Sequence, residues 1–159
     1  MKIRKAKPED TEYIQEAAER TWKETYIEIL HEQTIQRIID DWYGSESLKR
    51  QIREHRYFYI IEEDGGLAGF INATVEDNIA ELHRLYIYPD YWRQGFGTEL
   101  YSKLEEELPS EVKKIRLTII PENDPAVEFY QGHGFEKVEE KSTELKGEEV
   151  TQEIMEKEI

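Results

Sequence analysis

The chain has 159 residues, 38% hydrophobic and 36% charged, with no cysteine and a formal net charge of −15. That length suits a single domain spanning 1–159 with its own core, and the missing thiols exclude disulfides and thiolate metal sites. The acidity argues against a nucleic-acid partner, which needs clustered Lys and Arg, and favours the approach of cationic molecules.

In chain order, Lys2 to Lys7 reads as a strand, and Pro8-Glu9-Asp10 is a helix start. Tyr13, Ile14, Ala17, Ala18, Thr21 and Trp22 then follow helical spacing. Ile35, Ile38, Ile39 and Trp42 mark a second helix, Gly44-Ser45 breaks it, and Leu48 and Ile52 begin another helical stretch toward His55. The pattern changes at Tyr57, where an aromatic and β-branched run to Glu62 meets the hairpin turn Asp64-Gly65-Gly66. Leu67 to Val75 returns, Asp77-Asn78 turns the chain, and Ile79 to Tyr88 forms a further strand stopped by Pro89. No run approaches the ~18 apolar residues of a membrane span, and no apolar leader follows the N-terminus, so no membrane role is expected and the cytoplasm is the default location.

Gly97 to Leu108 carries Leu100, Tyr101, Leu104 and Leu108 on one helical face, and Lys114 to Ile120 is a strand. Asp124, as N-cap, and Pro125, in the first turn, open a short helix closed by Gly132 to Gly134. Phe135 to Leu145 and Val150 to Glu158 are charged strands joined at Lys146-Gly147, with the composition of an exposed sheet edge. The strand-helix-strand unit from Ile79 to Ile120 places two parallel strands side by side. The expected class is α+β, with three layers: a mixed, largely antiparallel sheet with helices on both faces.

The segment from Arg93 through Gln94, Gly95, Phe96 and Gly97 to Thr98 joins a strand to a helix start. Its glycines let the backbone approach a ligand, and unpaired N–H groups at the helix start converge where a pyrophosphate fits. Leu82-His83-Arg84-Leu85-Tyr86-Ile87-Tyr88-Pro89 followed by this turn resembles the acetyl-CoA motif of the GNAT N-acetyltransferase superfamily. Asn123-Asp124-Pro125-Ala126-Val127-Glu128-Phe129-Tyr130, closed by Gly134-Phe135, resembles the family's second motif. The family usually places Arg or Gln where Trp92 stands. An indole cannot replace a guanidinium as an anion partner, and Trp92 is expected to pack under the turn.

The resemblance implies direct transfer of acetyl from the CoA thioester to an amine, with no metal. It assigns Tyr130 as the acid for the departing thiolate. The backbone of Leu85, Tyr86 and Ile87 is the place for the thioester carbonyl and pantetheine amides, and Asn123 is a contact to the pantetheine arm. Related polyamine acetyltransferases carry a glutamate at the position of His83, so His83, Glu81 or water is the candidate base. Strict alternation puts Glu81, His83, Leu85 and Ile87 on one face of their strand, with Arg84 and Tyr86 on the other. His31, His55 and His133 lack metal-ligand spacing and read as surface or loop residues.

Acceptor binding by resemblance falls on the first two helices, where Trp22, Tyr26 and Glu28 suit a cationic amine through cation–π contact and ion pairing. The pattern is similar to spermidine/spermine acetyltransferases of bacteria and archaea; a lysine side chain, a protein N-terminus or an aminoglycoside stays open as acceptor. The family admits a homodimer. A non-catalytic acyl-CoA-binding module on the same fold is the competing class, and a nucleotide-binding protein is disfavoured because no Gly-Lys-Ser/Thr follows the turn.

Overall fold

Apolar residues recurring every three or four positions build helices first. In the computed structural model, which describes residues 1–159, β1 (Lys2–Lys5) is followed by a 3₁₀ turn at Pro8–Asp10. Then come α1 (Thr11–Tyr26), α2 (Glu32–Trp42) and α3 (Ser45–Glu54). Alternating and β-branched segments follow as β2 (Tyr57–Glu63), β3 (Gly66–Glu76) and β4 (Ile79–Ile87). A second 3₁₀ turn at Pro89–Tyr91 leads to α4 (Phe96–Glu107), β5 (Lys114–Ile119), α5 (Asp124–Gly132), β6 (Glu136–Leu145) and β7 (Glu148–Glu158).

The strands form one seven-stranded sheet in the order β1-β2-β3-β4-β5-β7-β6. Every neighbour pair is antiparallel except β4 and β5, which run parallel as the strand-helix-strand reading requires. Only β6 of the two charged C-terminal strands is an edge; β7 lies between it and β5. Each sheet face carries its own core. On one, Ile14, Ala18 and Trp22 of α1 with Ile35, Ile38 and Leu48 of α2 and α3 cover Phe58, Ile60 and Phe70. On the other, Leu100, Tyr101 and Leu104 of α4 with Tyr130 of α5 cover Tyr59, Ile61, Ile71, Leu82 and Ile115. Each fully buried side chain of this size contributes about 1.5–3 kcal/mol, so the two cores hold the three layers together. Arg4 ties the first strand to the helices through paired 2.9 Å bonds to Asp10 and a further ion pair with Glu62.

Two local departures position the cleft. The β3–β4 register steps from Asn72↔Arg84 to Ala73↔Leu82, which leaves His83 as the extra residue of a bulge. Strict alternation therefore fails. Leu85 and Ile87 join Ala80 and Leu82 on the α4 face, whereas Tyr86 packs on the α1–α3 side, where His83 bonds Thr74. Beyond Glu81↔Arg116, β4 and β5 no longer pair. The sheet opens there, and the freed ends of both strands become walls of a cleft.

Candidate active site

The cleft is about 900 Å³, and its walls come from α1, the end of α2, β4, the 89–98 turn, β5 and α5. Leu85, Tyr86 and Ile87 line it together with Arg93, Gly95, Phe96, Gly97, Thr98, Asn123 and Tyr130. Gln94 does not. Its side chain turns back to donate to the Asp90 carbonyl at 3.2 Å.

The turn works through backbone geometry. Arg93 and Gly95 both take left-handed φ, 62° and 87°, and Gly95 caps α4. The first helical bond runs from the Glu99 N–H to the Gly95 carbonyl at 3.1 Å, so the N–H groups of Phe96, Gly97 and Thr98 precede the helix's own ladder. A Cβ built at Gly95 meets nothing within 4 Å, which leaves open space for an anion against this positive helix end. Gly97 serves packing instead. A Cβ there would sit 3.3 Å from the Phe129 ring, so glycine lets α4 close against α5. A pyrophosphate fits this cradle.

Trp92 does not pack under the turn. It is 41% exposed, and its indole N–H donates to the Ile87 carbonyl at 2.7 Å. The cap of α5 is also one residue earlier than expected. Asn123, not Asp124, is the N-cap; its side-chain oxygen accepts from the Ala126 N–H at 3.4 Å while its amide donates to the Tyr26 hydroxyl at 3.2 Å. Asn123 therefore joins the second motif to the α1 wall.

Tyr130 is buried among Phe129 and Phe135, and burial pushes its pKa well up, so the phenol keeps its proton throughout the neutral range. His83 lines the cleft at an exposed position, bonded to Thr74 at 2.7 Å and stacked on His55 at 6.0 Å. Partial burial, then the charge of Arg84, then His55 hold its pKa down to about 4. Glu81 lies outside the cleft wall. Burial raises its pKa against the pull of Arg116, one carboxylate oxygen is buried without a partner, and Thr74 rather than Glu81 orients His83.

At the α1 end of the cleft, the rings of Trp22 and Tyr26 lie 4.4 Å apart, tilted by 34°, and line it with Glu24; Glu28 lies outside it on the exposed turn after α1. Sequence reasoning missed the polar chain behind them. The Trp22 indole donates to the Tyr43 and Tyr86 hydroxyls at 3.1 Å each, those hydroxyls lie 2.8 Å apart, and Arg84 donates to Tyr43 and Gln51. No local motif joins residues so far apart along the chain. His31, His55 and His133 all lie in loops as expected; His31 is exposed, whereas His55 and His133 are half-buried, held by Asn72 at 3.1 Å and by the Phe129 carbonyl at 2.8 Å.

Residues 12–135 match the model of the Acetyltransferase (GNAT) family. The chain belongs to that family. It is an acetyl-CoA-dependent N-acetyltransferase. The acetyltransferase is 33% identical to a spermidine N(1)-acetyltransferase of Thermoplasma acidophilum, over 88% of this chain and 90% of that protein. It is 30% identical to the peptidyl-lysine N-acetyltransferase YiaC of Escherichia coli, over 51% of each chain. The crystal structure of the PaiA N-acetyltransferase of Thermoplasma acidophilum in complex with coenzyme A superimposes with a TM-score of 0.87, 31% identity and coverage of 99% of this chain and 98% of that one. No group of side chains in the acetyltransferase has the makings of a metal site, and no helix is long and apolar enough to cross a membrane.

Proposed function

We propose that the chain is a single acetyltransferase domain whose acceptor is a polyamine. The observation that carries this reading is the acceptor end of the cleft, where the aromatic walls of Trp22, Tyr26, Trp42 and Tyr43 adjoin the carboxylates of Glu24 and Glu122. Aromatic faces and carboxylates both favour a cationic, extended amine, and the net charge of −15 draws such a molecule in. The likeness to a spermidine N(1)-acetyltransferase supports the same choice.

In this reading the backbone of Leu85 to Ile87 and the N–H groups of Phe96 to Thr98 hold the thioester and pyrophosphate ends of acetyl-CoA. The neutral amine attacks the thioester carbon, the N–C bond forms, and the C–S bond breaks. The Tyr130 hydroxyl protonates the departing sulfur, and the proton lost from nitrogen restores it through water. An imidazole whose pKa is about 4 takes a proton from an alkylammonium only far uphill. His83 therefore serves as a neutral wall of the cleft, and water carries the proton out.

An amine panel with acetyl-CoA tests the acceptor: polyamines, lysine peptides, N-terminal peptides and aminoglycosides. The expected result is the highest kcat/KM with a polyamine; a peptide preferred over every polyamine overturns the reading. Sedimentation of the same preparation tests the homodimer that the family admits.

A further inference from the structure

Arg84 is the cation of the acceptor end, and it makes no ion pair. It lines the cleft half-buried from β4. Its hydrogen bonds go to neutral oxygens, the Tyr43 hydroxyl at 3.1 Å and the Gln51 amide at 2.8 Å, and its guanidinium lies 5.0 Å from the Tyr43 ring centroid. Neither carboxylate of the cleft, Glu24 or Glu122, forms an ion pair with it. Around it stand Tyr43 at the end of α2, Gln51 and His55 of α3, Asn72 of β3, His83 and Tyr86 of β4, and Trp22 and Tyr26 of α1. Glu24, farther out on α1, is engaged by Arg20 at 3.4 Å, and Glu81, on the near end of β4, faces Arg116 and Glu156.

A guanidinium keeps its charge across the working range, and an uncompensated one inside a cleft costs stability. Its place matters. Arg84 precedes Leu85, where the thioester carbonyl is held in the proposed complex, so an attacking nitrogen comes within a side chain's length of it. Resting on that acceptor reading, we propose that Arg84 lowers the pKa of the bound amine by like-charge repulsion, so that the reacting nitrogen sheds its proton to water before attack. Carboxylates at the rim hold the distant ammonium of a polyamine, while the interior cation disfavours charge on the near one. The substrate class is then an amine with a second cation some way along its chain. The same charge bears on a neighbour: after burial, Arg84 is the next cause holding the His83 pKa down. Interior screening sets the expected shift at about one to two pH units.

The test is the pH profile of kcat at saturating acetyl-CoA and saturating amine, which reports the bound amine, with acetyl-CoA affinity measured by calorimetry to confirm that each variant is folded. Arg84→Gln should move the acidic limb up by about one to two units, so that activity at pH 7 falls about tenfold to a hundredfold and returns at high pH. Arg84→Lys, which keeps the charge without the planar fork, should retain the original limb. Arg84→Met is the second charge-removing variant if Gln does not fold. A diamine with fluorines beside its reactive nitrogen, already neutral at pH 7, should be acetylated by Arg84→Gln nearly as well as by the unmodified enzyme. A parallel loss at every pH and with both amines, with the limb unmoved, overturns this inference alone. Failure of the unmodified enzyme to acetylate any amine overturns the acceptor reading, and this inference with it.

Discussion

In the proposed mechanism the Tyr130 phenol must reach the reaction with its proton in place, and burial holds that proton there. Tyr130→Phe keeps the ring among Phe129 and Phe135 and removes only the acid. Turnover should fall about a hundredfold with acetyl-CoA affinity unchanged, as steady-state kinetics and calorimetry will show. His83 yields a prediction about stability. Its folded pKa of about 4 lies below the unfolded value of about 6.5. Its contribution is therefore fully present above pH 6.5 and is lost as the pH falls toward 4, because the unfolded chain binds a proton that the folded chain refuses. Thermal melts should show the midpoint dropping across that window. His83→Gln should drop less, by an amount kept modest by the solvent that reaches the ring.

At the scale of elements, the proposed capture of the cofactor rests on the start of α4. Gly95 holds φ 87° at the cap, a conformation that costs an L residue about 1–2 kcal/mol, and a glutamate there would also set a negative charge at the positive end of the helix. Gly95→Glu should weaken acetyl-CoA on the order of tenfold to a hundredfold by calorimetry, and remove most of the thermal shift that acetyl-CoA produces. An unchanged shift would remove the turn from the cofactor site. A second glycine acts from behind. A Cβ on Gly69 of β3 would lie 2.5 Å from the Tyr86 carbonyl oxygen and 2.6 Å from the Ile87 side chain, so glycine there is what lets β4 hold its cleft-lining end in place.

For the whole molecule, a net charge of −15 makes encounter with a cationic amine depend on ionic strength. The Debye length falls from about 10 Å at 0.1 M salt to about 3 Å at 1 M. KM for a polyamine should therefore rise severalfold across that range, while KM for acetyl-CoA, an anion captured by local N–H groups, should rise far less or fall. Equal salt responses for the two substrates would take the global charge out of acceptor capture.

Local pattern was enough for most of the fold and for the glycine turn before α4. Helical spacing, the Asp64-Gly65-Gly66 turn and the Arg93 to Thr98 glycines are short-range signals, and the elements in the structure follow them closely. What depended on pairing across the sheet was not legible. The bulge at His83 arises from register between β3 and β4, and it separated Leu85 and Ile87 from the face of Glu81 and His83 that strict alternation had them share. The α5 cap moved to Asn123, whose amide also meets the Tyr26 hydroxyl far away in the chain. The Trp22–Tyr43–Tyr86–Arg84–Gln51 chain likewise joins α1, α2, α3 and β4. By itself the sequence determined the order of elements and the glycine turn before α4, because both rest on contacts within a few residues. Only the tertiary structure decided which side chains line the cleft and which charge there goes unpaired, because burial and partnership are properties of surfaces that meet only when the chain has folded.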